Sequence, residues 1–123
     1  LEGTVVEGHH AGTLMGFPTA NMRPDCNEQI IPGRGVYAVK AEINGFSYMG
    51  MLNIGWRPTL DNGDEQTIET HLLDYEGGDL YGHHIKLNFY RRIRDEHRFT
   101  NIEELQKQLA IDADQVRTYF KGL

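Results

Sequence analysis

The chain has a single cysteine, Cys26, in 123 residues. No internal disulfide can staple it, and a lone thiol fits a reducing compartment such as the cytoplasm. No apolar run approaches the ~20 residues of a membrane-crossing helix, and no secretory leader pattern is present. Basic residues are in deficit, with 12 Lys and Arg against 18 Asp and Glu for a net charge of −6. A nucleic-acid partner calls for a basic face that releases counterions; neither nucleic acid nor membrane is an expected partner. The pattern G-x-x-x-x-G-K-[ST] is also missing, which excludes a P-loop nucleotide site.

What is present is an ordinary globular composition, 39% hydrophobic and 24% charged with 14 glycines. The length suits one domain, residues 1–123, with a single core. The glycine content favours strands and turns over a helical bundle. The chain opens Leu1-Glu2 rather than with Met, and the expectation is a piece of a longer protein.

Taken in order, Gly3 to Gly8 reads as a first strand and His9 to Met15 as a glycine-hinged loop. Pro24-Asp25 and Asn27-Glu28 mark a polar connection. Gly33-Arg34-Gly35-Val36-Tyr37-Ala38 loosely matches a dinucleotide fingerprint, but an alternating strand follows it where that motif requires a helix. Tyr37, Val39, Ala41 and Ile43 share one strand face, and Asn44-Gly45 is a strong hairpin signal. The return strand is expected over Phe46 to Ile54, with Met49, Met51 and Asn53 on one side and a loop from Gly55 to Gly63. Further strands are expected over Thr67 to Tyr75 and His84 to Ile93, the latter with Ile85, Leu87 and Phe89 inward.

Thr100 and Glu103 read as a capping box opening a helix, with Ile102, Leu105 and Leu109 as its apolar stripe. Asp112 with Gln115 reads as a second cap, before a short final helix docked by Val116, Tyr119 and Phe120. Five or six short strands followed by helical cover predict a closed antiparallel barrel, strands over about 3–93 and helices packed outside over about 100–121.

Glycines at positions 3, 8, 12 and 16 precede Phe17-Pro18-Thr19-Ala20-Asn21. Bare backbone N–H groups can cradle an anion. The Thr19 hydroxyl and Asn21 carboxamide, two residues apart, share a face if the segment is extended. Hard oxygen ligands beside such a loop suit hydrated Mg²⁺ carrying phosphates; a plain glycine-rich hairpin rim fits the same residues. Glu69 shares a strand face with Thr67, His71 and Leu73, and a carboxylate there is either a solvated outer-face group or a proton acceptor. His9, His10, His83, His84 and His97 lack metal-ligand spacing and read as surface.

Gly16 to Asn21 resembles the signature of riboflavin kinases (flavokinases). A second signature of that family is matched at Asn53-Ile54-Gly55-Trp56-Arg57-Pro58-Thr59. A third lies at Ile68-Glu69-Thr70-His71, with Asp79-Leu80-Tyr81-Gly82 close behind. The resemblance runs from about Gly3 to Phe120. It implies a six-stranded split, Greek-key-like β-barrel that moves the γ-phosphate of Mg-ATP to the 5′-hydroxyl of riboflavin, giving FMN and ADP. Glu69 would then be the base, and Thr19 and Asn21 would hold Mg²⁺. Gly8, Gly12, Thr13, Gly16 and Pro18 would lie along the ATP phosphates. Asn53 would contact nucleotide or metal. Phe17, Arg94 and His71 fall where the flavin side is expected, although Arg94 also reads as a surface arginine, and His71 as a packing residue or an orienter of Glu69. Relatives of this kind are commonly the C-terminal half of a bifunctional enzyme, so covalent linkage to an N-terminal FMN adenylyltransferase domain is expected.

Two departures stand out. The first loop carries Glu7 and His9-His10-Ala11 where family members often have Arg or Lys, which reduces the positive charge available to a triphosphate. The H-x-G-H motif of adenylyl transfer is also incomplete in Val6-Glu7-Gly8-His9, so FMN adenylylation is not expected of this piece. Two other functions fit parts of the pattern: a non-catalytic flavin- or nucleotide-binding barrel, and a purely structural barrel.

Overall fold

Alternating stretches become six strands in the computed structural model, which describes residues 1–9, 19–26, 29–58, 63–75, 78, 80–97 and 99–123, with the side chains of 7–9, 57–58 and 64–65 excepted. They are β1 (Glu2–His9), β2 (Thr19–Pro24), β3 (Gly35–Ile43), β4 (Phe46–Pro58), β5 (Asp64–Leu72) and β6 (His84–Arg94). Every neighbouring pair is antiparallel, and the order β1-β2-β5-β4-β3-β6 closes into a barrel. Closure leaves no open edge among these six described strands.

Side chains of one parity fill the barrel: Val5, Met22, Val39, Ile54, Leu72 and Leu87 are among the buried residues of this cluster. Burying each such side chain contributes roughly 1.5–3 kcal/mol. Tyr37 belongs to it as well, edge-on to Phe89 at 5.4 Å, its hydroxyl donating to the Gly33 carbonyl at 2.6 Å. The dinucleotide-like glycines therefore lead into a strand. Between β3 and β4, Asn44 and Gly45 both take positive φ, 52° and 82°, as a two-residue hairpin turn demands.

A second cluster lies outside the barrel, where Val36, Ala38, Met51 and Leu73 meet Leu109, Ala113 and Val116 of α1 (Ile102–Lys121). Because β3 is buried on both faces at Val36 to Ala38, it is apolar there at successive positions.

Four local expectations change. One continuous helix replaces the two short ones, because Asp112 is a fully buried mid-helix residue rather than a cap. Its N-cap is Asn101, extended at φ −152° and ψ 166°, whose side chain accepts from the Glu104 amide at 2.9 Å. Thr100 instead donates to the Glu104 carboxylate. Ile102 is 57% exposed, so the docking stripe begins at Leu105. Finally, β4 runs on to Pro58, because the backbone of Trp56 and Arg57 finds ladder partners in Gln66 and Glu65 of β5.

Candidate active site

Strand parity sends Ile68, Thr70 and Leu72 into the barrel and therefore turns Glu69 and His71 outward. The ladders line up one transverse row on that outer face. Asn21 is opposite Glu69, Glu69 opposite Asn53, Asn53 opposite Val36, and Val36 opposite Arg94. The adjacent row runs Thr19, His71, Met51, Ala38 and Arg91. A bulge in β6 matters here: the pairing skips Ile93 between Arg92, opposite Tyr37, and Arg94. Bulges re-aim side chains, and this one brings Arg94 to the face covered by α1.

Thr19 and His71 are both buried, with Thr19 Oγ1 2.9 Å from His71 Nδ1. The other ring nitrogen, Nε2, lies 3.7 Å from Glu69 Oε1. Burial pushes the imidazole pKa below its usual range, against the opposing pull of the Glu69 and Asp112 carboxylates. A neutral ring donates from one nitrogen and accepts at the other. When Thr19 donates to Nδ1, the Nε2 proton points toward Glu69, and the hydroxyl oxygen can still offer a lone pair to a cation. Glu69 itself is one-third exposed, reachable from solvent yet tied to the buried pair.

At the other end of the row, Arg94 forks onto Asp112. Its Nε donates to Oδ1 and Oδ2 at 2.9 and 3.1 Å, and its Nη2 to Oδ2 at 2.8 Å. Gln108 donates to the same carboxylate at 2.9 Å, and Arg94 Nη1 to the Asp95 carbonyl. The guanidinium stands 6.0 Å from the Phe99 ring centre, and His97 meets that ring edge-on at 4.8 Å. Between these groups and α1 is a cavity of about 60 Å³ bordered by Asn53, His71, Arg94, His97, Phe99 and Leu109. The Asn53 Oδ1 is buried with no hydrogen-bond partner among the described residues; Thr70 Oγ1, in the same condition, is on the barrel-interior side.

Six residues singled out from the sequence thus share one face: Thr19, Asn21, Asn53, Glu69, His71 and Arg94. Gly8 pairs with Ala20 through the backbone of β1 and β2. Gly12, Thr13, Gly16, Phe17 and Pro18 lie outside the described residues. Gly55 of the second motif lies against the Glu96 side chain, whose carboxylate sits where a Cβ would project. His84 sits at an exposed rim, 3.5 Å from Glu2 and 3.4 Å from Asp25. Among the described residues, no cluster of three or more His, Cys, Asp or Glu could hold a metal ion, and no helix is long and apolar enough to cross a membrane.

Sequence reasoning missed Asp112, Gln108 and Phe99, while His97, read as surface, is exposed at the cavity's border. For Asp112 a signal existed: it stands at i+3 from Leu109, beside Ala113 and four before Val116, and so falls within the apolar stripe. An acidic residue in that stripe must find a cation.

Comparison with known proteins places the whole chain rather than its individual site residues. The flavokinase model, described as riboflavin kinase, matches residues 1–120. A Bacillus subtilis protein named bifunctional riboflavin kinase/FMN adenylyltransferase is 42% identical over 125 residues, covering 100% of this chain and 39% of that protein. Its Escherichia coli K12 namesake is 42% identical over 121 residues, covering 98% and 37%. The chain therefore spans about two fifths of the length of these curated relatives. A crystal structure described as a macrolide-efflux protein from Streptococcus pneumoniae superposes with a TM-score of 0.82 at 34% identity, covering 94% of this chain and 37% of that one. By sequence over nearly its whole length, the chain belongs to the riboflavin kinase family.

Proposed function

We propose that this domain phosphorylates riboflavin, using ATP and Mg²⁺, to give FMN and ADP. The observation that supports this most is the outer-face row in which Glu69 stands between Asn21 and Asn53, beside a cavity roofed by α1. Glu69 takes the proton of the ribityl 5′-hydroxyl. The oxygen then bonds to the γ-phosphorus as the bond from that phosphorus to the ADP oxygen breaks, and the proton on Glu69 passes to solvent. Base catalysis of this kind is worth on the order of 10²–10⁴ in rate.

Mg²⁺ fits the Thr19 hydroxyl and Asn21 carboxamide as hard oxygen donors, and when bound with the nucleotide it offsets phosphate charge. His71 holds Thr19 and Glu69 in mutual register. The glycine segment before β2, with Gly8, Gly12, Thr13, Gly16 and Pro18, lies along the phosphates. The flavin ring enters from the α1 side, near Arg94, Phe99 and, from the glycine segment, Phe17. In the full-length protein the domain is joined to an FMN adenylyltransferase and works in the cytoplasm, where ATP is plentiful and the exposed Cys26 thiol stays reduced.

Incubation of the folded protein with riboflavin, ATP and Mg²⁺, followed by chromatography, should yield FMN above a protein-free control. Quenching of flavin fluorescence without any FMN would reduce the domain to a binding module.

A further inference from the structure

We infer that Asn53 reads the polyol chain of the flavin, its Oδ1 accepting a hydrogen bond from one of the ribityl hydroxyls between the phosphorylated end and the ring. The inference rests on the riboflavin kinase reading and assigns Asn53 to the alcohol substrate instead of nucleotide or metal.

Three observations carry it. First, Asn53 Oδ1 is buried and unpartnered among the described residues. A buried carbonyl without a donor is costly to keep, and a substrate hydroxyl is a donor of the right kind. The polyphosphate end of a nucleotide is not, since at neutral pH it offers acceptors almost exclusively. Second, Asn53 and Asn21 flank Glu69 from opposite sides of the row. On the proposed reading Asn21 belongs with the Mg²⁺ donors, whereas Asn53 borders the cavity that continues to Arg94 and Phe99. Third, cross-strand neighbours stand about 4.5–5.5 Å apart at Cβ. A polyol whose terminal hydroxyl touches Glu69 and whose other end leads into the α1-covered cavity must carry its intermediate hydroxyls past Asn53.

The test compares kcat/KM for riboflavin, its 2′-, 3′- and 4′-deoxy analogues and N3-methylriboflavin. A site built to bond a hydroxyl rejects the analogue lacking it, so the parent protein should disfavour one deoxy analogue by on the order of 10–100-fold. In Asn53→Ala that ratio should fall below about threefold, because the rate on riboflavin drops while the rate on that analogue does not. Asn53→Leu, which keeps the volume, serves if the smaller side chain unsettles the fold. Discrimination retained against all three deoxy analogues overturns the inference. So does a loss confined to N3-methylriboflavin, which would assign Oδ1 to the flavin ring. A parent protein that phosphorylates none of these flavins overturns the kinase reading itself, and this inference with it.

Discussion

Asn21 and Glu69 face each other across the β2–β5 ladder, and Asn53 flanks Glu69 from β4. Two neutral amides therefore bracket Glu69, the carboxylate of the cross-strand row Asn21, Glu69, Asn53, Val36 and Arg94. A proton acceptor placed this way has no like charge immediately beside it in the row, while each amide offers an oxygen on its own side. On the proposed reading, the strand carrying Glu69 separates the Mg²⁺ donors of β2 from the alcohol-binding residue of β4.

Glu69→Gln keeps shape and most hydrogen bonding but cannot take a proton at neutral pH. The rate of FMN formation should fall at least ~100-fold. The melting temperature should stay near that of the parent, since the side chain is one-third exposed and supports little packing. A variant retaining more than about a third of the parent kcat would remove Glu69 from the role of base.

Asn21→Ala should raise the Mg²⁺ concentration needed for half-maximal rate and leave riboflavin binding nearly intact. Titrating Mg²⁺ at saturating ATP, with flavin fluorescence followed in parallel, separates the two effects. An unchanged Mg²⁺ dependence would take Asn21 out of the metal site.

The Arg94–Asp112 pair should respond asymmetrically. Asp112 is fully buried, while Arg94 retains 22% side-chain exposure. Arg94→Ala strands an uncompensated buried carboxylate and should cost about 3 kcal/mol or more. Asp112→Asn leaves a cation that can still reach water and should cost clearly less. Urea denaturation of both variants checks the order; equal losses would mean that the two ends are equally desolvated.

His71 makes stability depend on pH with a definite sign. Its folded pKa lies below the ordinary 6.5 because of burial, so on acidification the unfolded chain takes up the proton first. Stability should therefore fall as pH drops below about 6.5, by at most about 1.4 kcal/mol per pH unit from this group, and level off below the folded pKa. Above that window His71 contributes no slope. His71→Gln should show a shallower acid slope than the parent in urea midpoints measured at about pH 7.5, 6.5 and 5.5. Parallel slopes would contradict the assignment.

Much of the barrel was legible because its signals are local. Asn44-Gly45 announces its own turn, and the alternation of Tyr37, Val39, Ala41 and Ile43 is read directly from the chain. The same parity argument put Glu69 and His71 on one face. What was not legible depends on partners distant in sequence. The extension of β4 through Trp56 exists only because β5 lies alongside, and Trp56-Arg57-Pro58 alone reads as loop. Asp112 and Arg94, 18 positions apart, meet only once α1 is laid over a bulged β6. Read locally, Asp112 followed by Gln115 looks like a helix start.

The Asn44–Gly45 turn touches none of the site residues, yet it sets the phase of the β3–β4 ladder. Asn53 is eight positions beyond Gly45, roughly 27 Å along an extended strand. One extra residue in the turn would bring Leu52, now a barrel-interior side chain, opposite Val36 and send Asn53 inward, unless a bulge absorbed the slip. The chemistry of this face thus tolerates changes in the turn's surface character far better than changes in its length.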